Sequence, residues 1–291
     1  MSEAPLITEL ASSLRRSRLL ALLPLMAGGA AAAVWIWVER HIGFAPLLLL
    51  ALGAAGSVAL AWLLGLALNQ HFLPQLAQLR GFTAAPHTPS PHRLLPDEVV
   101  PMGTRQLMHN MVKGTVADRP WQAGFLECSR RDLQTGSTKT EFQGQVIQVH
   151  GQGFLSDFVL RPAKPGLSYQ KRLSVLDLPE AAELTSQGTD WLLYTEDQQD
   201  ASDLARRCRT LLDTLPAPPK PAQLLGIVSA NGWLQLICAS PRDLFSVWNG
   251  PFSFRSARTA IRQLFEALNW CEVVALALAG FEQLPDATQQ D

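Results

Sequence analysis

From Leu19 to Leu68 the chain reads LLALLPLMAGGAAAAVWIWVERHIGFAPLLLLALGAAGSVALAWLLGLAL. The runs Leu19 to Val38 and Phe44 to Leu68 contain no Asp, Glu, Lys or Arg, and a helix of about 20 such residues spans the hydrocarbon core of a bilayer. Only Glu39-Arg40-His41-Ile42-Gly43 separates them. Hydrocarbon offers a backbone no partner outside its own helix, so the pattern predicts a two-helix transmembrane hairpin over residues 19–68, with the lipid bilayer as its first partner. Within the second run, Gly53, Ser57, Ala61 and Gly65 fall every fourth residue and share one helical face. Small side chains let a second helix approach closely, which makes this face a candidate seam of the hairpin or of an oligomer. Gly28 and Ala32 could supply the opposing surface; a composition rich in alanine and glycine also produces such spacing by chance. Trp35, Trp37 and His41 suit the far interface, whereas Trp62 reads as lying deeper. Neither run holds an ionisable residue, which argues against a proton or ion pathway.

Orientation follows from Arg15, Arg16 and Arg18, which directly precede the first run, against the lone Arg40 beside Glu39 in the turn. Basic residues are retained in the cytoplasm, so both termini are expected there, in a multi-pass protein of a bacterial inner membrane. A rival reading takes Arg15 to Arg18 as the basic end of a signal peptide, with Ala27 to Ala33 as its cleavage zone. The apolar run is too long for that, since Trp35, Ile36 and Trp37 continue it. Leu6, Ile7, Leu10, Ala11 and Leu14 recur at helical spacing within residues 1–18, a pattern of either an interfacial helix or a tail that touches lipid occasionally.

Beyond the hairpin, residues 69–95 read as a short helix through Leu79, with Pro74 as a potential kink, followed by a Pro-rich linker. Residues 96–280 read as one cytoplasmic α+β domain, and residues 281–291 as a tail. The overall class expected is therefore a membrane-anchored α+β protein: a helical hairpin, then a mostly antiparallel sheet with two or three helices. Strand patterns cover 122–131, 139–150, 154–161, 172–176 and 190–194, with Thr135-Gly136-Ser137 as a turn. Thr195 and Gln198 form a candidate capping box for a helix through Ala201, Leu204, Cys208, Leu211 and Leu215. Asn231-Gly232 suits a two-residue hairpin turn between Leu224–Ala230 and Trp233–Ala239. A second helix follows through Ala260 to Leu268, then a closing strand over Glu272 to Leu278.

The formal net charge of −1 leaves no electrostatic footprint for a nucleic acid. Four widely spread cysteines, Cys128, Cys208, Cys238 and Cys271, lack metal-site spacing and read as buried, reduced thiols. Complete catalytic motifs are wanting: Gly151-Gln152-Gly153 misses the third glycine of a dinucleotide fingerprint, and Lys113-Gly114-Thr115 misses the loop of a Walker motif. His87 and His92 bracket a Thr-Pro-Ser-Pro segment without further ligands. Asp197, Asp200 and Asp203 could share a helix edge, but their spacing is not that of a calcium loop and Asp203 can pair with Arg207. Cys128 with His150 is the best available nucleophile and base, on strands that could be neighbours. No catalytic residue, cofactor or metal is therefore assigned; the alternative is a membrane-tethered enzyme with a site near Cys128 and His150.

Phe142-Gln143-Gly144, Tyr194 to Gln198 with Ala201 and Leu204, Asn231-Gly232-Trp233-Leu234 and Asp243-Leu244-Phe245 occur in an order that resembles a large bacterial family of membrane-anchored proteins of unknown function. That family pairs an N-terminal two-helix anchor with a cytoplasmic α+β domain, and the match runs to about Val274. It usually places an arginine directly after the alanine of the second motif, where this chain has Ser202. Its members are often encoded beside a small LemA-type membrane protein. The resemblance thus implies a protein partner, with self-association as the other option, and carries over no catalytic residue. Together these readings lead to a non-catalytic inner-membrane protein whose cytoplasmic domain binds another protein or itself.

Overall fold

The computed structural model describes residues 3–39, 44–88, 105–132, 135–151, 157–164, 178–197, 199–230, 232–248 and 256–281. It contains two long apolar N-terminal helices followed by a large antiparallel sheet and further helices. The chain divides into two compact units, Met1–Arg80 with Ser246–Leu264, and Gly81–Phe245 with Phe265–Asp291.

In the first unit, α1 spans Glu3–Glu39 and α2 spans Phe44–Gln78. No break in the helix marks residue 18, where the tail is expected to give way to the hairpin: α1 is one helix of 37 residues that continues through Pro24. Its buried residues Leu6, Leu10, Leu14, Ser17 and Ala21 carry one periodic face across that point, and no helix breaker interrupts it. Likewise α2 continues through Pro74, so the segment expected as a separate juxtamembrane helix is the end of α2. The turn residues 40–43 lie outside the described residues. The Leu25 N–H donates to Ser57 Oγ (3.0 Å), and Glu9 Oε1 stands 3.2 Å from His71 Nε2. The two helices are therefore antiparallel in a single register, which brings Leu19 level with Leu63.

The second unit is built on a nine-stranded sheet: β1 (Thr83–Thr88), β2 (Arg105–Val116), β3 (Arg119–Arg131), β4 (Thr138–His150), β5 (Phe158–Pro162), β6 (Glu180–Ser186), β7 (Thr189–Thr195), β8 (Gln223–Ala230) and β9 (Trp233–Ala239). Spatial order is β1-β2-β3-β4-β9-β8-β5-β7-β6, and neighbouring strands pair antiparallel. Two tight hairpins need positive φ at both turn residues, supplied by Ala117 (47°) with Asp118 (60°) and by Gln187 (50°) with Gly188 (74°). Between β8 and β9, Gly232 has φ of 74° and Ala230 pairs with Trp233; Asn231 is outside the described residues. Leu126, Val146, Ile237, Val228 and Val159, one each from β3, β4, β9, β8 and β5, belong to one buried cluster with Cys128 and Tyr194.

Helix α3 (Ala201–Thr214) buries Cys208, Leu211 and Leu212. Its last turn is tied to the β6–β7 hairpin, where Ser186 Oγ donates to Asp213 Oδ1 (2.6 Å) and Gln187 Nε2 to the Leu212 carbonyl (2.8 Å). Helix α4 (Ala257–Ala279) buries Leu264, Leu268, Cys271, Ala275 and Leu278 at helical spacing. Trp270 Nε1 donates to the Pro216 carbonyl (3.2 Å).

Several expectations differ from this fold. Glu272 to Leu278 is not a strand but the last turns of α4, because Cys271, Val274, Ala275 and Leu278 continue its buried face. The sheet begins at β1, inside the stretch read as linker, where Thr83 to Ala85 pair with Met111 to Lys113 despite the nearby prolines. Thr195 does not cap α3. It ends β7, its hydroxyl donates to the Asp157 carbonyl and accepts the Asp197 N–H, and Asp200 occupies the cap position. The candidate strand 172–176, His92, Gln198 and the tail from 282 lie outside the described residues.

Candidate functional site: the seam of the helical hairpin

Gly53, Ser57, Ala61 and Gly65 are all buried on α2. Gly53 presses against α1: a Cβ built there would stand 2.7 Å from the Pro24 carbonyl oxygen and 3.2 Å from Gly28 Cα. A Cβ on Gly28 would in turn lie 2.6 Å from the Leu49 carbonyl oxygen. At this crossing neither helix has room for a side chain. One turn on, Ser57 accepts the Leu25 N–H, next to a proline that interrupts the helical hydrogen-bond ladder. Ala61 follows in the same register as the buried Ala21, and Ala32 is buried on α1.

Gly65 has a different neighbour. A Cβ there would collide with the indole of Trp248, so the space its missing side chain leaves is filled by the segment after the sheet rather than by α1. Asn69, one turn further, holds that segment: its Oδ1 accepts the Val247 N–H (2.9 Å) and its Nδ2 donates to Ser246 Oγ (3.1 Å). Ser246 Oγ donates in turn to the Trp248 carbonyl (2.8 Å). The sequence reading missed this clamp, although Asn69 is the first polar residue after the second apolar run.

The outward faces are the inverse of the seam. Leu19, Leu23, Met26, Val34 and Trp37 on α1, and Phe44, Leu47, Leu52, Val58, Trp62 and Leu63 on α2, are exposed large apolar side chains. Before Leu19 the exposed residues of α1 are small or polar, ending with Arg15 and Arg16; Arg18 is half-buried. After Leu63 the exposed residues of α2 are Ala67, Gln70, His71 and Gln78, while Phe72, Leu73 and Leu76 are buried. Because Leu19 and Leu63 are level, both helices change their outward chemistry at one height. Trp62, 64% exposed, sits at that edge and not deeper in the apolar band.

The enzymatic candidates do not assemble. Cys128 pairs with Phe142 and Trp121 with Val149 across β3 and β4, so His150 lies eight residues further along β4 than the partner of Cys128, roughly 27 Å at the rise of an antiparallel strand. The two strands are neighbours, as the sequence allowed, but the two residues are far out of register, so the alternative of a site built on both has no geometry here. Cys128 is fully buried, and burial pushes its thiol up to about 12, away from a nucleophilic thiolate. Burial also raises Cys208, Cys238 and Cys271, and all four are unpaired, buried thiols. His150 packs edge-on against Trp233, with ring centroids 5.0 Å apart. Asp203 bonds Arg206 and Arg207, whereas Asp197 accepts the Gln199 and Asp200 N–H groups, so these carboxylates serve local structure. Lys113-Gly114-Thr115 lies inside β2 rather than in a loop. Among the described residues no three His, Cys, Asp or Glu side chains come together as a metal site.

One polar cluster in the sheet unit escaped the sequence reading. The Asp243 carboxylate accepts hydrogen bonds from Asn110 Nδ2 and the Phe245 N–H (2.8 Å). Asn110 occupies the irregular step of β2 with φ of 49°. Nearby, the buried Gln145 amide satisfies both its ends when its nitrogen donates to the Gly124 carbonyl (2.9 Å) and its oxygen accepts the Leu244 N–H (2.7 Å). Asp243 keeps an edge to solvent, yet the crowding around its carboxylate pushes its pKa up to about 6, against the lowering effect of its donors. Together these bonds fix the loop after β9 onto the sheet.

No protein-family model matches the chain, and among curated proteins none matches it. A crystal structure of the mycobacterial trehalose monomycolate transport factor A, TtfA, is similar over 69% of this chain and 95% of its own, at 14% identity and a TM-score of 0.35. A likeness at that level carries no argument about function. Of the family resemblance, the outline of two apolar helices followed by an antiparallel-sheet domain is what stands.

Proposed function

We propose that this is a non-catalytic protein of a bacterial inner membrane. Its α1–α2 hairpin crosses the bilayer with both termini in the cytoplasm, and its sheet unit binds a protein partner or a second copy. The observation that carries the reading is the common height at which both helices turn from exposed polar to exposed large apolar residues. From Leu19 to Val38 the helical rise gives about 30 Å, the thickness of a hydrocarbon core. The apolar windows of the two helices are only 11% and 17% buried, whereas a core helix of a soluble protein would be mostly buried. Arg15, Arg16 and Arg18 favour the cytoplasmic placement of the N-terminus.

Support for a binding rather than a catalytic role comes from the separation of Cys128 and His150 and from the burial of the thiols. A protein partner, including the LemA-type protein that the family resemblance implies, belongs to the same proposal. Crosslinking in native membranes followed by mass spectrometry tests it: crosslinks from the sheet unit to one defined protein, or between copies, are expected. Turnover of a substrate that disappears with Cys128→Ala at unchanged stability would overturn it.

A further inference from the structure

We infer that Arg15 and Arg16, one turn outside the exposed apolar band, form a collar that binds the headgroups of anionic phospholipids in the leaflet facing the N-terminus. The inference rests on the membrane reading above and adds to it a choice of lipid. Both arginines are exposed, and Leu19 and Leu20, three to five residues on, are the first exposed large apolar side chains of α1. At 1.5 Å per residue the guanidinium groups stand within about 8 Å of the hydrocarbon edge, the depth of lipid phosphates.

Trp62 provides the independent marker of that depth. It is level with Leu19 and Leu20 on the neighbouring helix and largely exposed, and tryptophan favours the boundary between acyl chains and headgroups. No carboxylate of the hairpin competes for the collar. Between Glu9 and Glu39 α1 has none, α2 has none at all, and Glu9 is engaged by His71. Among the described residues of the hairpin the positive charge therefore has no neutralising partner, and the guanidinium fork matches a phosphodiester bidentately. Each basic side chain at an anionic surface favours it by a factor of about five, so two predict a preference on the order of tenfold or more.

The test uses the full-length protein reconstituted in vesicles of phosphatidylcholine with spin-labelled phosphatidylglycerol or spin-labelled phosphatidylcholine, reading the fraction of label immobilised at the protein. The expected result is preferential immobilisation of phosphatidylglycerol, reduced to parity in Arg15→Gln/Arg16→Gln and retained in Arg130→Gln, a charge removal in the sheet unit. Parity in the unmodified protein would overturn the collar, and so would a preference that survives the double substitution. Competition by inorganic phosphate beyond that of chloride at equal ionic strength would overturn it in favour of a site for free anions. Alkaline carbonate extraction of the same vesicles separates this failure from that of the membrane reading: a released protein refutes the anchor, a retained protein without lipid preference refutes only the collar.

Discussion

The hairpin and the sheet solve opposite packing problems with opposite residues. At the hairpin crossing the interior holds Gly28, Gly53, Ser57 and Ala61 while Leu23, Met26, Val58 and Leu63 face outward. In the sheet unit, Leu126, Val146, Ile237 and Val228 are inside, and the ends and turns carry Arg130, Arg131 and Asp118. Water drives large apolar side chains inward, as in the sheet. A hydrocarbon solvent gives no such drive, so helices there associate by close backbone approach, which only small residues permit. Small residues inside and large apolar residues outside the hairpin, against the reverse in the sheet unit, are what the proposed lipid surroundings of the hairpin require, and each region then has its own mode of failure.

The largest effect is expected at Gly53. Gly53→Leu places a branched side chain against the Pro24 carbonyl and Gly28 Cα, on backbone that cannot move aside cheaply. Crosslinking between cysteines placed at positions 25 and 57 should fall several-fold in native membranes. Gly65→Leu should leave that pair intact and instead displace Trp248, seen as a change in protection of the 246–248 backbone. In the sheet unit the rule reverses: Leu126→Ala opens a cavity and should cost about 2 to 5 kcal/mol in denaturant unfolding. If enlargement at Gly53 were harmless and Leu126→Ala costless, the two-solvent contrast would fail.

Sequence period alone was enough for the hairpin, because twenty and twenty-five residues without a charge have few alternatives in water. It also located β3, β4, β7, β8 and β9, whose apolar alternation is strong. What it could not place were features set by distant residues. β1 carries one proline and two alanines and reads as linker until β2 pairs alongside it. The last turns of α4, rich in Val, Leu and Ala, satisfy a strand template as well as a helical one. The Ala117-Asp118 turn has no glycine to announce it. Cys128 and His150 could be set on neighbouring strands but not in register, which turns and bulges decide. The Asn69–Ser246–Trp248 clamp joins residues nearly 180 apart, a separation no local pattern spans.

Smaller effects sharpen the comparison. Ser57→Ala removes the acceptor of the Leu25 N–H and should weaken the hairpin by about 1 kcal/mol, the size of an interhelical hydrogen bond in lipid. In the sheet unit Asp243 has a folded pKa of about 6 against an ordinary 3.8, so folding favours its protonated form. Its contribution is therefore most favourable below about pH 4, is lost as pH rises to 6, and is constant above. Two pKa units set a ceiling of about 3 kcal/mol, which the partial exposure of the residue lowers to about 1. Asp243→Asn keeps an acceptor for the Phe245 N–H and should flatten that part of the stability profile, measured by thermal unfolding from pH 4 to 7. Leu60→Ile, off the seam by a hundred degrees, should be nearly silent in the cysteine crosslinking.

If the exposed apolar band of α1 and α2 faces lipid, both ends of the hairpin lie on one side of the bilayer. Reporter fusions expressed in a bacterial host address it, with a cytoplasm-active and an exterior-active reporter placed in turn at the C-terminus and within the Glu39 to Gly43 turn. Cytoplasmic activity is expected at the C-terminus and exterior activity at the turn. A C-terminus active only outside, or a turn active only in the cytoplasm, would contradict it.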